Sequence, residues 1–108
     1  MKLMTKRLEY LFKKYGCQDG SKDPVVVAKF FNPSGPGTWY ATKYYPEERL
    51  FFGFVSIFGD HNDEWGYFSL DELEAIRVPP FGLKIERDRW FEPQPISKVC
   101  PKACKLIN

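Results

Sequence analysis

The chain has 108 residues, a formal net charge of +2, 44% hydrophobic and 28% charged side chains, and three cysteines. That balance is globular and excludes disorder, and one domain of this length buries a core, about 65% of its unfolded surface, without disulfide staples. No run approaches the ~20 apolar residues of a bilayer span, and no uninterrupted apolar h-region follows the basic start, so three thiols read as reduced in a cytoplasm.

The small net charge hides an asymmetry. Residues 1–22 carry net +4, residues 23–83 net −5 and residues 84–108 net +3. Basic ends around an acidic waist can present two surfaces of opposite sign.

Thr5 to Tyr15 predicts a helix, with Met4, Leu8, Leu11, Phe12 and Tyr15 on one arc and Gly16 as its stop. Lys6, Arg7, Tyr10, Lys13 and Lys14 fall on the opposite arc. A basic stripe holding an aromatic ring is a candidate phosphate-facing surface; the competing reading is the solvated face of an ordinary amphipathic helix. After a polar loop from Cys17 to Pro24, Val25 to Phe31 predicts a strand. The Asn32-Pro33-Ser34-Gly35-Pro36-Gly37 turn then closes a hairpin onto Thr38–Tyr45. Regular alternation there places Trp39, Ala41, Lys43 and Tyr45 on one face and Thr38, Tyr40, Thr42 and Tyr44 on the other.

Pro46-Glu47-Glu48 turns the chain into Leu50–Phe58, apolar at both parities. A strand apolar on both sides needs both its faces covered, so it is expected at the centre of the sheet. An acidic loop over Gly59–Trp65 leads to a fourth strand beginning at Gly66-Tyr67-Phe68. Ser69-Leu70-Asp71-Glu72 is a capping box opening a helix over Leu70–Arg77, which Pro79-Pro80 ends. Leu83–Phe91 reads as a short edge strand or extended arm, with Arg87 and Arg89 on one side and Trp90 facing away. The expected fold is α+β: one globular domain over residues 1–95, with an antiparallel meander of four to five strands and both helices on one face. Residues 96–108 are expected as a tail, loosely ordered or docked.

Few residues offer chemistry. Cys100 and Cys104 form a C-x3-C pair, but structural zinc takes four Cys or His ligands, and Cys17 and His61 lie far off in sequence. His61, beside Asp60, Asp63 and Glu64, is a candidate general base, though its surroundings also read as a hairpin loop. A single histidine excludes any two-imidazole mechanism. There is no G-x-S-x-G elbow and no phosphate-cradling glycine loop, so no catalytic residue, metal or cofactor is expected. Arg87 and Arg89 are candidates for gripping phosphate or a partner's carboxylates; ion pairing at a sheet edge is the alternative.

The ordered blocks Ala28-Lys29-Phe30-Phe31, Trp39-Tyr40-Ala41-Thr42, Pro46 to Phe54, Gly66 to Glu74, Ile85-Glu86-Arg87-Asp88 and Phe91-Glu92-Pro93 carry a resemblance. The chain is similar, from Leu8 to Pro95, to a family of small bacterial and phage proteins described only as a domain of unknown function. The Pro33–Gly37 turn and the cysteine-bearing tail depart from that pattern. The resemblance implies a mobile-element setting (plasmids, integrative elements or prophages) and assigns no catalytic residues. Three functions follow as expectations. The first is a non-enzymatic accessory protein binding nucleic acid or a nucleoprotein through Lys6, Arg7, Tyr10, Lys13, Lys14, Arg87 and Arg89. The second is a protein-binding inhibitor of a host defence nuclease, of anti-restriction or anti-CRISPR type; the positive net charge speaks against a polyanionic DNA mimic. The third is a small hydrolase using His61.

Overall fold

The computed structural model describes residues 1–57 and 63–107. Its elements in chain order are α1 (Lys6–Tyr15), β1 (Val25–Val26), β2 (Ala28–Phe31), β3 (Thr38–Tyr45), β4 (Leu50–Ser56), β5 (Glu64–Ser69), α2 (Leu70–Ala75), β6 (Glu86–Arg87), β7 (Gln94–Pro95), α3 (Ile96–Val99) and α4 (Pro101–Cys104). Five strands form an antiparallel sheet in the order β5-β4-β3-β2-β6, while β1 and β7 pair as a separate ribbon. The β2–β5 meander and the α+β class are as the sequence predicts. β3 occupies the middle of the sheet and β4 lies beside it, one strand further from the centre than expected.

The helix ends follow local chemistry. Thr5 Oγ1 accepts the Leu8 N–H at 3.2 Å, Ser69 Oγ accepts the Glu72 N–H at 3.2 Å, and Gly16 ends α1 at φ 60°. α2 stops at Ala75, short of the expected Arg77, because Ile76 turns extended and Val78 bridges to Leu83. Arg77 Nη1 donates to the freed carbonyls of Glu74 and Ile76 at 2.8 and 2.9 Å. Arg49, at φ 51°, donates to Asp71 at 2.8 Å and Glu74 at 3.1 Å, tying the 46–49 turn to α2.

One sheet face packs on α1 and α2. Phe51 sits at its centre, 4.9–5.8 Å from the rings of Phe12, Phe30, Tyr44 and Phe68, and Leu70 and Leu73 complete the layer. The other face carries Phe54 and Val26, covered by Ile96, Cys100 and Ala103 of the C-terminal segment. Both faces of β4 therefore carry a cover, as its two-sided apolar sequence demands, complete over Phe54 and partial over Phe52. Residues 96–107 cover one of them, and the Ile96 side chain at the boundary is fully buried.

Two expected regularities fail, each for a packing reason. The strand expected over Val25–Phe31 is split: Val26, Val27 and Ala28 are all buried, which simple alternation cannot achieve. Val26 faces the C-terminal helices, the Val27 N–H donates to the Ala41 carbonyl at 2.9 Å, and Ala28 resumes pairing in the main sheet. On β3 the register slips between Ala41 and Lys43, a β-bulge at Thr42. Tyr44 consequently joins Trp39 and Ala41 over α1, and Lys43 and Tyr45 turn to the Tyr40 side, reversing the expected faces beyond the bulge. The buried Thr42 hydroxyl donates to the Phe52 carbonyl at 3.1 Å. β5 begins at Glu64, so Trp65 belongs to the sheet, opposite Phe54, and not to the preceding loop.

Two carboxylates clamp the C-terminal segment. Asp23 accepts the Ser97 N–H at 2.9 Å and the Ser97 hydroxyl at 2.6 Å, serving the start of α3 from 74 residues away. Asp63, with a side chain 1% exposed, accepts from Ser56 Oγ at 2.8 Å and from Lys102 Nζ. The Ser97 hydrogen bonds hold Asp23 below the usual carboxylate range. Burial pushes Asp63 up, but bonds from Lys102 and Ser56, the Lys102 charge and the Ile57 N–H outweigh it and hold that carboxyl low as well. A depressed folded pKa means the unfolded chain binds more protons in acid. The clamps thus contribute fully above the unfolded carboxylate value of about 3.9, and the contribution disappears as pH falls through the lower folded values. Denaturant melts are expected to show stability level above about pH 5 and falling below about pH 4. The double variant Asp23→Asn, Asp63→Asn should start lower at pH 7 and lose less on acidification; an unchanged acid slope would show that these two groups are not responsible.

Candidate functional site

All five candidates on α1 (Lys6, Arg7, Tyr10, Lys13 and Lys14) are exposed, because Phe12 and its apolar neighbours take the inward arc. Tyr10 is 64% exposed. α1 carries four basic side chains against Glu9 alone. Lys13 and Lys14 in its last turn also complement the helix dipole.

Arg87 and Arg89 lie across the sheet edge in sequence terms but meet α1 in space. β6 pairs with β2, Phe30 opposite Arg87 and Phe31 opposite Glu86, which brings the arm alongside the start of α1. A groove of about 340 Å³ results, with Arg7, Leu8 and Leu11 on one wall and Arg87, Arg89 and Phe91 on the other. The structure therefore unites Arg7, Arg87 and Arg89; Lys6, Tyr10, Lys13 and Lys14 stay outside this groove on the open face of the helix.

Trp90 does not face away from the arginines as a continuous extended chain would have it. The strand ends at Arg87, the Asp88 carboxylate accepts the Trp90 N–H at 3.0 Å, and the Phe91 N–H donates to the Asp88 carbonyl at 3.3 Å. This Asx-type turn swings Trp90 back. Trp90, 88% exposed, lines a second groove of about 540 Å³ with Lys29, Thr38, Arg87 and Arg89, walled by the Gly35–Gly37 turn. No sequence signal marks Lys29; only its place on β2 beside β6 brings it here, 4.0 Å from Asp88. A half-exposed pair of that length adds little stability. Lys29 sets a third cation beside Arg87 and Arg89, with Glu86 and Asp88 lining the same groove.

Arg87 serves both grooves. Its Nη1 is buried and, among the described residues, has no hydrogen-bond partner. A guanidinium presents its donors in a rigid fork suited to phosphate or carboxylate oxygens, and an unused buried donor is costly until something fills it.

The remaining candidates are dispersed. Cys100 is buried against Phe54 and Val26, Cys104 Sγ donates to Asp23 at 3.8 Å, and Cys17 is exposed. Burial pushes both the Cys100 and Cys104 thiols up, away from the reactive thiolate form. Among the described residues, no group of three or more His, Cys, Asp and Glu is placed to hold a metal ion, and no helix is long and apolar enough to cross a membrane. His61 lies outside the described residues.

These features define a small α+β protein whose five-stranded sheet is helix-covered on one face and covered in part by the C-terminal segment on the other, with arginine-lined grooves along one edge. The chain belongs to the family described as "Protein of unknown function (DUF2958)", whose family model matches residues 3–105. The match runs through α3 and α4, so the cysteine-bearing segment belongs to the family pattern, contrary to the expectation that the likeness ends at Pro95. Comparison with curated proteins and with solved structures finds no match.

Proposed function

We propose that this protein binds nucleic acid, alone or in a nucleoprotein, as a small non-enzymatic accessory factor in the cytoplasm. The observation that carries the reading is the convergence of Arg7 from α1 with Arg87 and Arg89 on one groove, next to the basic face of the same helix. Phosphate contacts from such a surface supply affinity without needing a catalytic constellation. Trp90, exposed beside Arg87 and Arg89, adds a ring on which an unpaired base can stack. The mobile-element or phage setting implied by the sequence resemblance fits such an accessory role and is part of the proposal.

The test is a salt titration of fluorescence anisotropy with single- and double-stranded DNA and RNA. Binding is expected at ~50 mM salt and should weaken steeply toward ~200 mM. In Arg87→Glu, Arg89→Glu the dependence of log K on log salt should flatten by about 1.4–1.8, the value of two lost phosphate contacts. No binding to any of the four at ~50 mM removes the proposal.

A protein partner is the second reading, such as a host restriction or CRISPR nuclease that the chain would inhibit. Exposed Phe81 and Trp90, 83% and 88% accessible, support it as aromatic anchors. A partner retained after nuclease treatment, with no nucleic-acid binding in the titration, would favour it.

A further inference from the structure

On the opposite side of the sheet from α1, a pocket of about 290 Å³ opens between the loop after α1, the Thr42 bulge and the C-terminal residues. Its apolar lining includes Phe52 and Trp65, diagonal neighbours on β4 and β5 whose rings lie 6.0 Å apart at an interplanar angle of 19°. Both are only half-buried, so ring surface is left uncovered.

Three devices hold this pocket open before any ligand arrives. The Gln18 amide donates to the carbonyls of Val25 and Thr42, both at 2.9 Å, and accepts the Val25 N–H at 2.6 Å, pinning the loop that forms one wall. The Trp65 indole N–H donates to the Ala103 carbonyl at 2.9 Å, fixing the ring. The bulge at Thr42 re-aims Lys43 to this face, where its ammonium lies 4.6 Å from the Tyr45 ring. Without the bulge Lys43 would point toward α1. Asp19 and Lys43 both line the opening, so their charges balance there, and Ser21 adds a hydroxyl.

We propose that this pocket binds a neutral planar heteroaromatic ring system of nucleobase size, stacked on Phe52 and Trp65. A ring nitrogen or carbonyl would accept from Lys43, and an exocyclic amine would donate to Asp19. The volume, at the small end of ligand sites, suits one such ring system, with a sugar substituent directed out of the opening. The balanced charge favours a neutral base over a phosphorylated one. Preformed walls reduce the ordering cost that a small ligand must overcome. The pocket lies apart from the arginine grooves, so this inference stands whether or not the chain binds nucleic acid there.

The test is a residue-resolved NMR titration of the full chain with guanosine and with adenosine, ribose serving as control. Saturable shifts of the Gln18, Lys43 and Phe52 amides and the Trp65 indole N–H are expected with one or both nucleosides, and none with ribose. Lys43→Met and Asp19→Asn, both surface changes that leave the apolar floor intact, should each weaken binding about 10-fold. Two outcomes overturn the inference: no saturable shift at these residues by ~10 mM nucleoside, or saturation that neither variant weakens. Shifts confined to Trp90 and the arginines would also overturn it while leaving the nucleic-acid reading intact.

Discussion

Gly53→Ala should lower stability by about 3 kcal/mol or more, with Tm falling roughly 12 °C or further in a thermal melt followed by circular dichroism. Gly53 lies on β4, opposite Ala41 on one side and Gly66 on the other. A Cβ added there would stand 1.8 Å from the Tyr40 carbonyl oxygen and 2.8 Å from its carbon. Those are backbone atoms of the middle strand, just before the Thr42 bulge. They can move only if the β3–β4 ladder moves with them. No rotamer change relieves the clash, because alanine has none to offer. Gly66 is the internal control: a Cβ there meets nothing within 4 Å, and Gly66→Ala should be neutral or gain up to about 1 kcal/mol from reduced backbone entropy in the unfolded chain. If both variants melt with the wild type, the close approach of β3 and β4 is wrong.

Ending the chain after Pro95 should abolish cooperative unfolding at room temperature. The segment removed supplies Ile96, Cys100 and Ala103, which cover Val26 and Phe54, and the carbonyl that receives the Trp65 indole N–H. It also strips Asp23 and Asp63 of Ser97 and Lys102. Losing Ile96 alone, by Ile96→Ala, should cost about 2–5 kcal/mol at a site with no exposure. The full truncation leaves one sheet face bare, so dye binding to exposed apolar surface and loss of near-ultraviolet dichroism are expected. A truncated chain that melts cooperatively within a few degrees of the full one would mean the first face alone sustains the fold.

Both outcomes turn on contacts that the sequence announces only in part. The two-sided apolar pattern of Leu50–Phe54 correctly requires two covers. α1 and α2 are legible as the first, because ten residues with a 3.6-residue period and a serine cap are local signals. The second is not, because α3 and α4 have four residues each, too few to display a period. The hydrogen bonds to the first turn of α3 come from Asp23, 74 residues earlier. The candidate sites divide in the same way. The exposed basic arc of α1 follows from helical geometry alone. The meeting of Arg7 with Arg87 and Arg89, and the entry of Lys29 and Trp90 beside them, depends on β6 adding to β2 and on the Asp88 turn.

The residues by themselves determine where α1 and α2 start, the hairpin turns and the need for a doubly covered sheet, since each is decided within a few positions by dihedral preference, capping or alternation. Only the tertiary structure decides which face Lys43 and Tyr45 occupy, because the Ala41-Thr42-Lys43 stretch bears no mark of a bulge until Phe52 and Gly53 lie opposite it. It alone also decides that the C-terminal segment closes the second face. That outcome rests on the free energy of covering Val26 and Phe54, which no local stretch of chain can express.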